Sequence, residues 1–215
     1  MYIAVGTRPD IAYAVSKLSS YLDCYRSDHW DAAIRVLRYL KGTRTLGLVL
    51  GGSNPINLIG YSDSDYANCV ETSRSVAGYC FNLGSGMISW RSRKGQTVAD
   101  STCYAEYMAL HEAAREAMFL RELLGELKFK SLTPTPVFCD NRATIILSED
   151  HVGHPRVKHI RVKYHYIQDQ VQDGLLVAKQ IRSEDNTADI FTKPLGRVDF
   201  QRLRGYLGLR AQTGT

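Results

Sequence analysis

The sequence of 215 residues predicts an α/β fold in which a helical hairpin precedes a sheet. Three observations predict it. Up to residue 42 apolar residues recur at helical spacing; from residue 46 the pattern turns to short β-rich runs divided by glycine turns; after residue 101 helical stretches alternate with short apolar strands. The resulting order is three strands, a helix, a strand, helices, a strand and a helix, with no internal repeat. A hydrophobic content of 44% and a charged content of 23% are those of an ordinary globular chain and exclude a disordered tail or a low-complexity array.

In chain order, Pro9 suits a first helical turn, and Ile11, Ala14, Val15, Leu18 and Leu22 continue it as one helix. Ser27 or Asp28 is the expected N-cap of a second helix, carried by Trp30, Ala33, Ile34, Leu37 and Leu40 and stopped by Gly42. The two form a hairpin too small to bury a core of its own, so it is expected to pack on something else. Residues 46–50 read as a strand before the Gly51-Gly52-Ser53-Asn54-Pro55 loop, a plausible boundary. Strands follow at 57–62, 76–83 and 87–91, with Gly84-Ser85-Gly86 turning the last pair. The longest helical pattern covers 102–127. Then come a strand at 136–139, helices at 141–147 and 155–171, a strand at 175–181, and helical segments at 186–191 and 198–207.

The net charge of +5 is unevenly spread: +3 over residues 1–55, −3 over 56–150 and +5 over 151–215. An acidic middle between basic ends suits a carboxylate site that must meet a polyanion. Five single cysteines without a Cys-x-x-Cys pair argue against a zinc ribbon or disulfide scaffold and favour a reduced, intracellular setting. No apolar run approaches the ~20 residues that span a bilayer, and the N-terminus has no signal-peptide pattern, so no membrane partner is expected.

Four acids stand at unusual places. Asp63 ends the strand run Leu58-Ile59-Gly60-Tyr61-Ser62-Asp63, and Asp140 ends Val137-Phe138-Cys139-Asp140 directly before a helix. If both strands are central and parallel, their carboxyl ends lie side by side, where open α/β sheets build sites. Glu106 heads the stripe Leu110, Ala113, Ala117, Leu120 and Leu124 of the long helix, where a buried carboxylate needs a compensating cation. Asp189 begins the helical segment after the last strand. Any one of these acids alone reads first as a cap; the four together point to a hard divalent cation such as Mg²⁺, which takes oxygen ligands. Two such ions about 3.5–4 Å apart suit in-line displacement at phosphorus, so the cluster predicts phosphodiester chemistry over glycosidase-like acid–base work.

The segments Gly60-Tyr61-Ser62-Asp63-Ser64-Asp65, Ala105-Glu106-Tyr107-Met108-Ala109-Leu110, Val137-Phe138-Cys139-Asp140-Asn141 and Ala188-Asp189-Ile190-Phe191-Thr192-Lys193-Pro194-Leu195 closely resemble the ribonuclease H domain of Ty1/copia-type retrotransposon polyproteins. So do Lys158-His159-Ile160 and Tyr164-His165-Tyr166-Ile167. Residues 1–50, with Gly6-Thr7-Arg8-Pro9-Asp10-Ile11 and Leu37-Arg38-Tyr39-Leu40-Lys41-Gly42-Thr43, resemble the segment joining polymerase to ribonuclease H. The resemblance implies a ribonuclease H-like mixed five-stranded sheet with helices on both faces, preceded by the helical hairpin. It divides the chain into a connection segment (1–50), a ribonuclease H-like domain (51–195) and a C-terminal helix and tail (196–215). It implies a metal-dependent endonuclease that cuts the RNA strand of RNA–DNA hybrids, with Asp63, Glu106, Asp140 and Asp189 as catalytic and metal-binding acids. Two Mg²⁺ ions are implied, Mn²⁺ being an acceptable substitute. Ser64, Asp65, His159 and His165 are auxiliary candidates, and the polymerase part of the parent polyprotein is a candidate partner. The implied setting is a cytoplasmic virus-like particle or the nucleus, with Met1 an internal methionine of the parent. The chain departs from the family at Cys103-Tyr104, where Thr-Glu is usual, at Tyr66-Ala67-Asn68-Cys69, and at Arg161, where an acid is common. The Tyr-x-Asp-Asp motif of the polymerase site is missing.

Arg156, Lys158, Arg161 and Lys163 are the expected nucleic-acid contacts, although basic residues fall on two helix faces, Arg156, His159 and Lys163 on one and Lys158, Arg161 and His165 on the other. His151 and His154 suggest zinc weakly, since no cysteine follows Cys139. Trp90, beside Arg91 and Arg93, reads first as a packing residue and second as a nucleic-acid contact. The alternative to an enzyme is a non-catalytic structural or nucleic-acid-binding remnant of a reverse transcriptase.

Overall fold

The computed structural model describes residues 1–51, 56–67, 72–95, 97–129, 133–149 and 161–211. Strands β2 (Leu58–Asp65), β3 (Val76–Leu83) and β4 (Gly86–Lys94) form an antiparallel meander. Strand β5 (Thr135–Cys139) lies parallel to β2, and β6 (Leu176–Gln180) lies parallel to β5, giving the order β4-β3-β2-β5-β6. This is the mixed five-stranded sheet with helices on both faces that the resemblance implies.

Strand β3 shows why both faces are covered. Its Tyr79 and Phe81 join a core with Tyr107, Leu110, Ala113, Ala114 and Ala117 of helix α4 (Thr102–Glu126) and with Ile167 of helix α6 (Arg161–Gln172). The intervening Cys80 joins Met87, Ile190, Phe191, Leu203 and Leu207 on the opposite face. Side chains alternate along a strand, so a run that is apolar at every position requires cover on both sides. The small alanines of α4 let that long helix lie close against the sheet, and this brings Glu106 over the strand ends. Helix α5 (Arg142–Glu149) packs beside α6; helix α7 (Arg197–Tyr206) lies on the opposite face. The expected start of α6 near residue 155 lies outside the described residues.

The N-terminal region departs from the expected single first helix. The chain forms α1 (Tyr2–Gly6), a 3-10 turn (Pro9–Ile11) and α2 (Ala12–Ser19). The break falls at Arg8, which is buried and donates to both carboxylate oxygens of Asp10 at 2.9 and 2.8 Å. A continuous helix would not turn that side chain inward. Helix α3 (Ser27–Gly42) is capped one residue earlier than the first expected position: Arg26 is the extended N-cap, and its N–H donates to His29 Nδ1 at 3.0 Å in place of a Ser27 or Asp28 cap.

Residues 1–50 pack on the rest as the small size of the hairpin requires. Trp90 Nε1 donates to the Ala4 carbonyl at 2.8 Å, which makes this tryptophan a packing residue. Strand β1 (Leu46–Leu48) pairs antiparallel with β7 (Leu209–Ala211). Tyr39 on α3 donates to Asp10 Oδ2 at 2.5 Å and accepts from Arg204 on α7 at 3.1 Å. The segments 1–50 and 196–211 thus close on each other. No described helix is long and apolar enough to cross a membrane.

Asp10→Ala leaves the Arg8 guanidinium buried and without its carboxylate. Urea unfolding of this variant is expected to show a loss of about 3 kcal/mol. Asp10→Ala with wild-type stability would remove the Arg8–Asp10 pair from the contacts that hold the hairpin.

Candidate metal centre

Strand pairing brings the first two acids together. Tyr61 stands opposite Phe138 in the parallel β2–β5 ladder, so two residues further on Asp63 and Asp140 are neighbours at the strand ends. Glu106 arrives from above, one turn into α4, whose start is capped by Ser101 Oγ accepting from the Tyr104 N–H at 3.1 Å. The ligand atoms of Asp63, Glu106 and Asp140 all lie within 4.8 Å of one another. Asp63 is 2% and Glu106 6% exposed, while Asp140 is half-buried.

Burial pushes the Glu106 carboxyl up to about 9, and the nearby Asp63 and Asp140 add to the rise. Asp63 is raised as well, first by burial, against the pull of Lys193 and the Thr192 hydroxyl. Glu106 Oε2 has no hydrogen-bond partner among the described residues. An unpartnered buried carboxylate oxygen beside two further carboxylates suits a hard cation, which accepts oxygen ligands and relieves the repulsion.

The structure puts Asp189 in a different setting from the other three. It lies in a 3-10 turn (Thr187–Phe191), not at the head of a helix, and outside the three-acid cluster. Its Oδ1 is 3.0 Å from Lys193 Nζ, which is 3.9 Å from Asp63 Oδ2. Burial first, and Asp63 next, push Asp189 up to about 7. The turn is clipped to β2 by the fully buried Asn186, whose Nδ2 donates to the Ser62 carbonyl at 2.9 Å and whose Oδ1 accepts from Ala188 N–H at 3.1 Å. Gly78 stands opposite Asp63 in the β2–β3 ladder. A Cβ there would come within 2.7 Å of Phe191 Cβ and 2.8 Å of Thr192 Cγ2. Glycine at this one position admits the turn, and Thr192 Oγ1 then donates to Asp63 Oδ2. On the other strand end, Ser183 Oγ donates to Asp140 Oδ2 at 2.6 Å.

Thr192, Lys193, Asn186 and Ser183 contact the acids or the elements that carry them, and the sequence alone does not single them out. Asn186 offered a signal, as a buried cap three residues before an acid; Ser183 is one polar loop residue among several and offered none.

Of the auxiliary candidates, Ser64 is buried beside Asp63 and its backbone N–H bonds Glu106, while Asp65 ends β2 close enough to raise Asp63. His165 is exposed on α6, and His159 lies outside the described residues, as do His151, His154, Arg156 and Lys158. Arg161 opens α6, with its side chain outside the described set. Lys163 is half-buried, its Nζ 3.6 Å from Met108 Sδ. It lines a cavity of about 170 Å³ with Arg91, Arg93, Lys94, Tyr104, Ser64 and Glu112, where Arg91 lies 3.5 Å from Glu112. The cations of β4 therefore join Lys163 around one cavity, a grouping hidden in sequence because the strand and the helix are some 70 residues apart.

No family model matches the chain. It is 40% identical over 203 residues to a retrovirus-related Pol polyprotein from transposon RE2 of Arabidopsis thaliana, covering 94% of this chain and 14% of that protein. It is 40% identical over 211 residues to the corresponding polyprotein from transposon TNT 1-94 of Nicotiana tabacum, covering 98% of this chain and 16% of that one. A secreted RxLR effector protein 161 of Plasmopara viticola is 50% identical over 120 residues, 56% of this chain and 84% of that protein. A solved structure of LC11-RNase H1 in complex with RNA/DNA hybrid is similar at TM-score 0.47 and 19% identity, covering 63% of this chain and 94% of that chain. The chain spans only 14–16% of the length of the two transposon polyproteins. With 40% identity sustained over 94–98% of its own length, the chain belongs to the retrovirus-related Pol polyprotein family of copia-type transposons.

Proposed function

We propose that this part of the polyprotein is a metal-dependent endonuclease that cuts the RNA strand of RNA–DNA hybrids. The observation that carries the proposal is the convergence of Asp63, Glu106 and Asp140 within 4.8 Å, with one Glu106 oxygen buried and unpartnered. Asp63, Glu106 and Asp140 are the residues that would hold a divalent ion, with Asp189 beside them. Mg²⁺ or Mn²⁺, when bound, supplies Lewis-acid charge for displacement at phosphorus.

The chain's own residues do the rest. Thr192 holds one oxygen of Asp63 and Ser183 holds one of Asp140, so both carboxylates are oriented before substrate arrives. Arg91, Arg93, Lys94 and Lys163 around the neighbouring cavity attract phosphates and set the register of a polyanion on the acids. A hybrid carries 2′-hydroxyls on one strand only, and groove shape together with those hydroxyls distinguishes the strand to be cut. The polymerase part of the parent is the proposed partner, and a virus-like particle or the nucleus the proposed setting, both on family grounds.

Purified protein with Mg²⁺ or Mn²⁺ is expected to cut the RNA of a labelled hybrid and to leave duplex DNA intact. Cleavage that survives EDTA, or equal cutting of duplex DNA, overturns the reading.

Glu106→Gln separates charge from size. Hybrid cleavage is expected to fall at least about a hundredfold, equivalent to ~2.7 kcal/mol of lost transition-state stabilisation. In the metal-free folded chain Glu106 keeps its proton to about 9, against an ordinary value of 4.5, so the folded state binds more protons over that window. Stability therefore falls as pH rises from 4.5 towards 9, and Asp189 adds the same sign between 3.8 and about 7. Glu106→Gln removes the larger part of this decline. At pH 8 without metal its melting temperature is expected to exceed that of the wild type by roughly 2–4 °C for each ~1 kcal/mol relieved. A variant with full activity and an unchanged melting profile would return Glu106 to ordinary packing.

A further inference from the structure

The four acids are not equally available to a metal. Asp63, Glu106 and Asp140 crowd together, and one Glu106 oxygen has no partner among the described residues. The Asp63–Asp189 side is different, because a cation of the chain itself stands there. Lys193 Nζ is 3.0 Å from Asp189 Oδ1 and 3.9 Å from Asp63 Oδ2.

The backbone holds Lys193 in that position. Its N–H donates to the Asp189 carbonyl at 3.2 Å, closing the turn, and the preceding Thr192 is fully buried with its hydroxyl on Asp63. Pro194 follows and restricts the Lys193 backbone. The Lys193 side chain is 33% exposed, so the ammonium has a path to water without unfolding of the turn. The charged groups that face it are Asp63 from β2, Asp189 from its own turn and, further off, Asp140 from the end of β5 and Glu106 from α4.

We infer that the Lys193 ammonium is a built-in counter-cation between Asp63 and Asp189, so that the chain takes one divalent ion tightly and a second only by displacing Lys193. The inference rests on the reading of these acids as a metal site. Its physical basis is competition between charges: an ammonium 3.0 Å from one carboxylate and 3.9 Å from the other offsets part of their charge without dehydrating a divalent ion, and Mg²⁺ dehydrates reluctantly. Lys193 also offsets the negative charge of Asp63 and Asp189 while no metal is bound. Uptake of the second ion is therefore coupled to release of the lysine.

The test counts ions. Mn²⁺ binding to the full chain is followed by electron paramagnetic resonance of the free ion and by titration calorimetry, for the wild type, Lys193→Met and Lys193→Arg. The wild type is expected to bind one ion tightly and a second at least tenfold more weakly. Lys193→Met should tighten the second site by about tenfold to a hundredfold, as loss of a contacting unit charge permits. Lys193→Arg, which keeps the charge, should behave as the wild type. The rise in melting temperature on adding Mn²⁺ should be larger for Lys193→Met than for the wild type, a readout that remains if the metal-free variant is partly unfolded. The inference is overturned if Lys193→Met leaves both the second affinity and the metal-induced rise unchanged, or if Lys193→Arg alters them as much as Lys193→Met. A wild-type chain that binds no divalent ion overturns the metal-site reading itself, a different and separately visible result.

Discussion

Repulsion among carboxylates withdrawn from water is the constraint around which this structure is arranged. Asp63 and Glu106 are almost fully buried and Asp140 abuts them. Inside a protein such groups either take up protons or gain cations and hydrogen-bond donors. Each device near the strand ends provides one of these. Thr192 and Ser183 donate to Asp63 and Asp140, the Ser64 backbone N–H bonds Glu106, and Lys193 bridges Asp63 and Asp189. Among the described residues Glu106 Oε2 is buried without a hydrogen-bond partner, and it marks a place where positive charge is still needed.

Holding that arrangement requires rigidity on both faces of the sheet. On one face the alanines of α4 pack against β2 and β3, and the helix carries Glu106 over the strand ends. On the other, the turn that carries Asp189, Thr192 and Lys193 is buried between Gly78, the core around Phe191 and the Asn186 clip. A site built on elements of this kind keeps its geometry in the absence of ligand, which limits reorganisation when charge arrives. The N-terminal hairpin contributes from further away. Through Trp90, the β1–β7 pairing and the Arg8–Asp10–Tyr39–Arg204 chain it backs the same face of the sheet that the turn and α7 cover. The segment 1–50 and the sheet that carries the acids are thereby mechanically continuous.

Elements governed by local pattern were legible in the sequence. The long helix expected at 102–127 is Thr102–Glu126, and the strand expected at 76–83 is Val76–Leu83, because periodicity and turn glycines act over a few residues. The adjacency of Asp63 and Asp140, and the burial of Glu106 at the head of an apolar stripe, followed from the same local reasoning plus a parallel pairing. The strand at 57–62 was read short: the ladder continues to Asp65, since Ser62, Asp63 and Ser64 are buried polar residues that no apolar pattern reports.

Tertiary structure alone decided the rest, and in each case through contacts between residues far apart in the chain. Thr192 reaches Asp63 across 129 residues, Asn186 reaches Ser62 across 124, and Arg204 reaches Tyr39 across 165. The broken first helix follows from where Arg8 can be buried beside Asp10 and Thr43, and the β1–β7 pairing joins opposite ends of the chain. Composition and spacing identified which residue types could bear the chemistry. The division of the acids into an open cluster of three and a lysine-bridged pair depends on how the last turn packs over Gly78, a packing encoded in no single stretch of sequence.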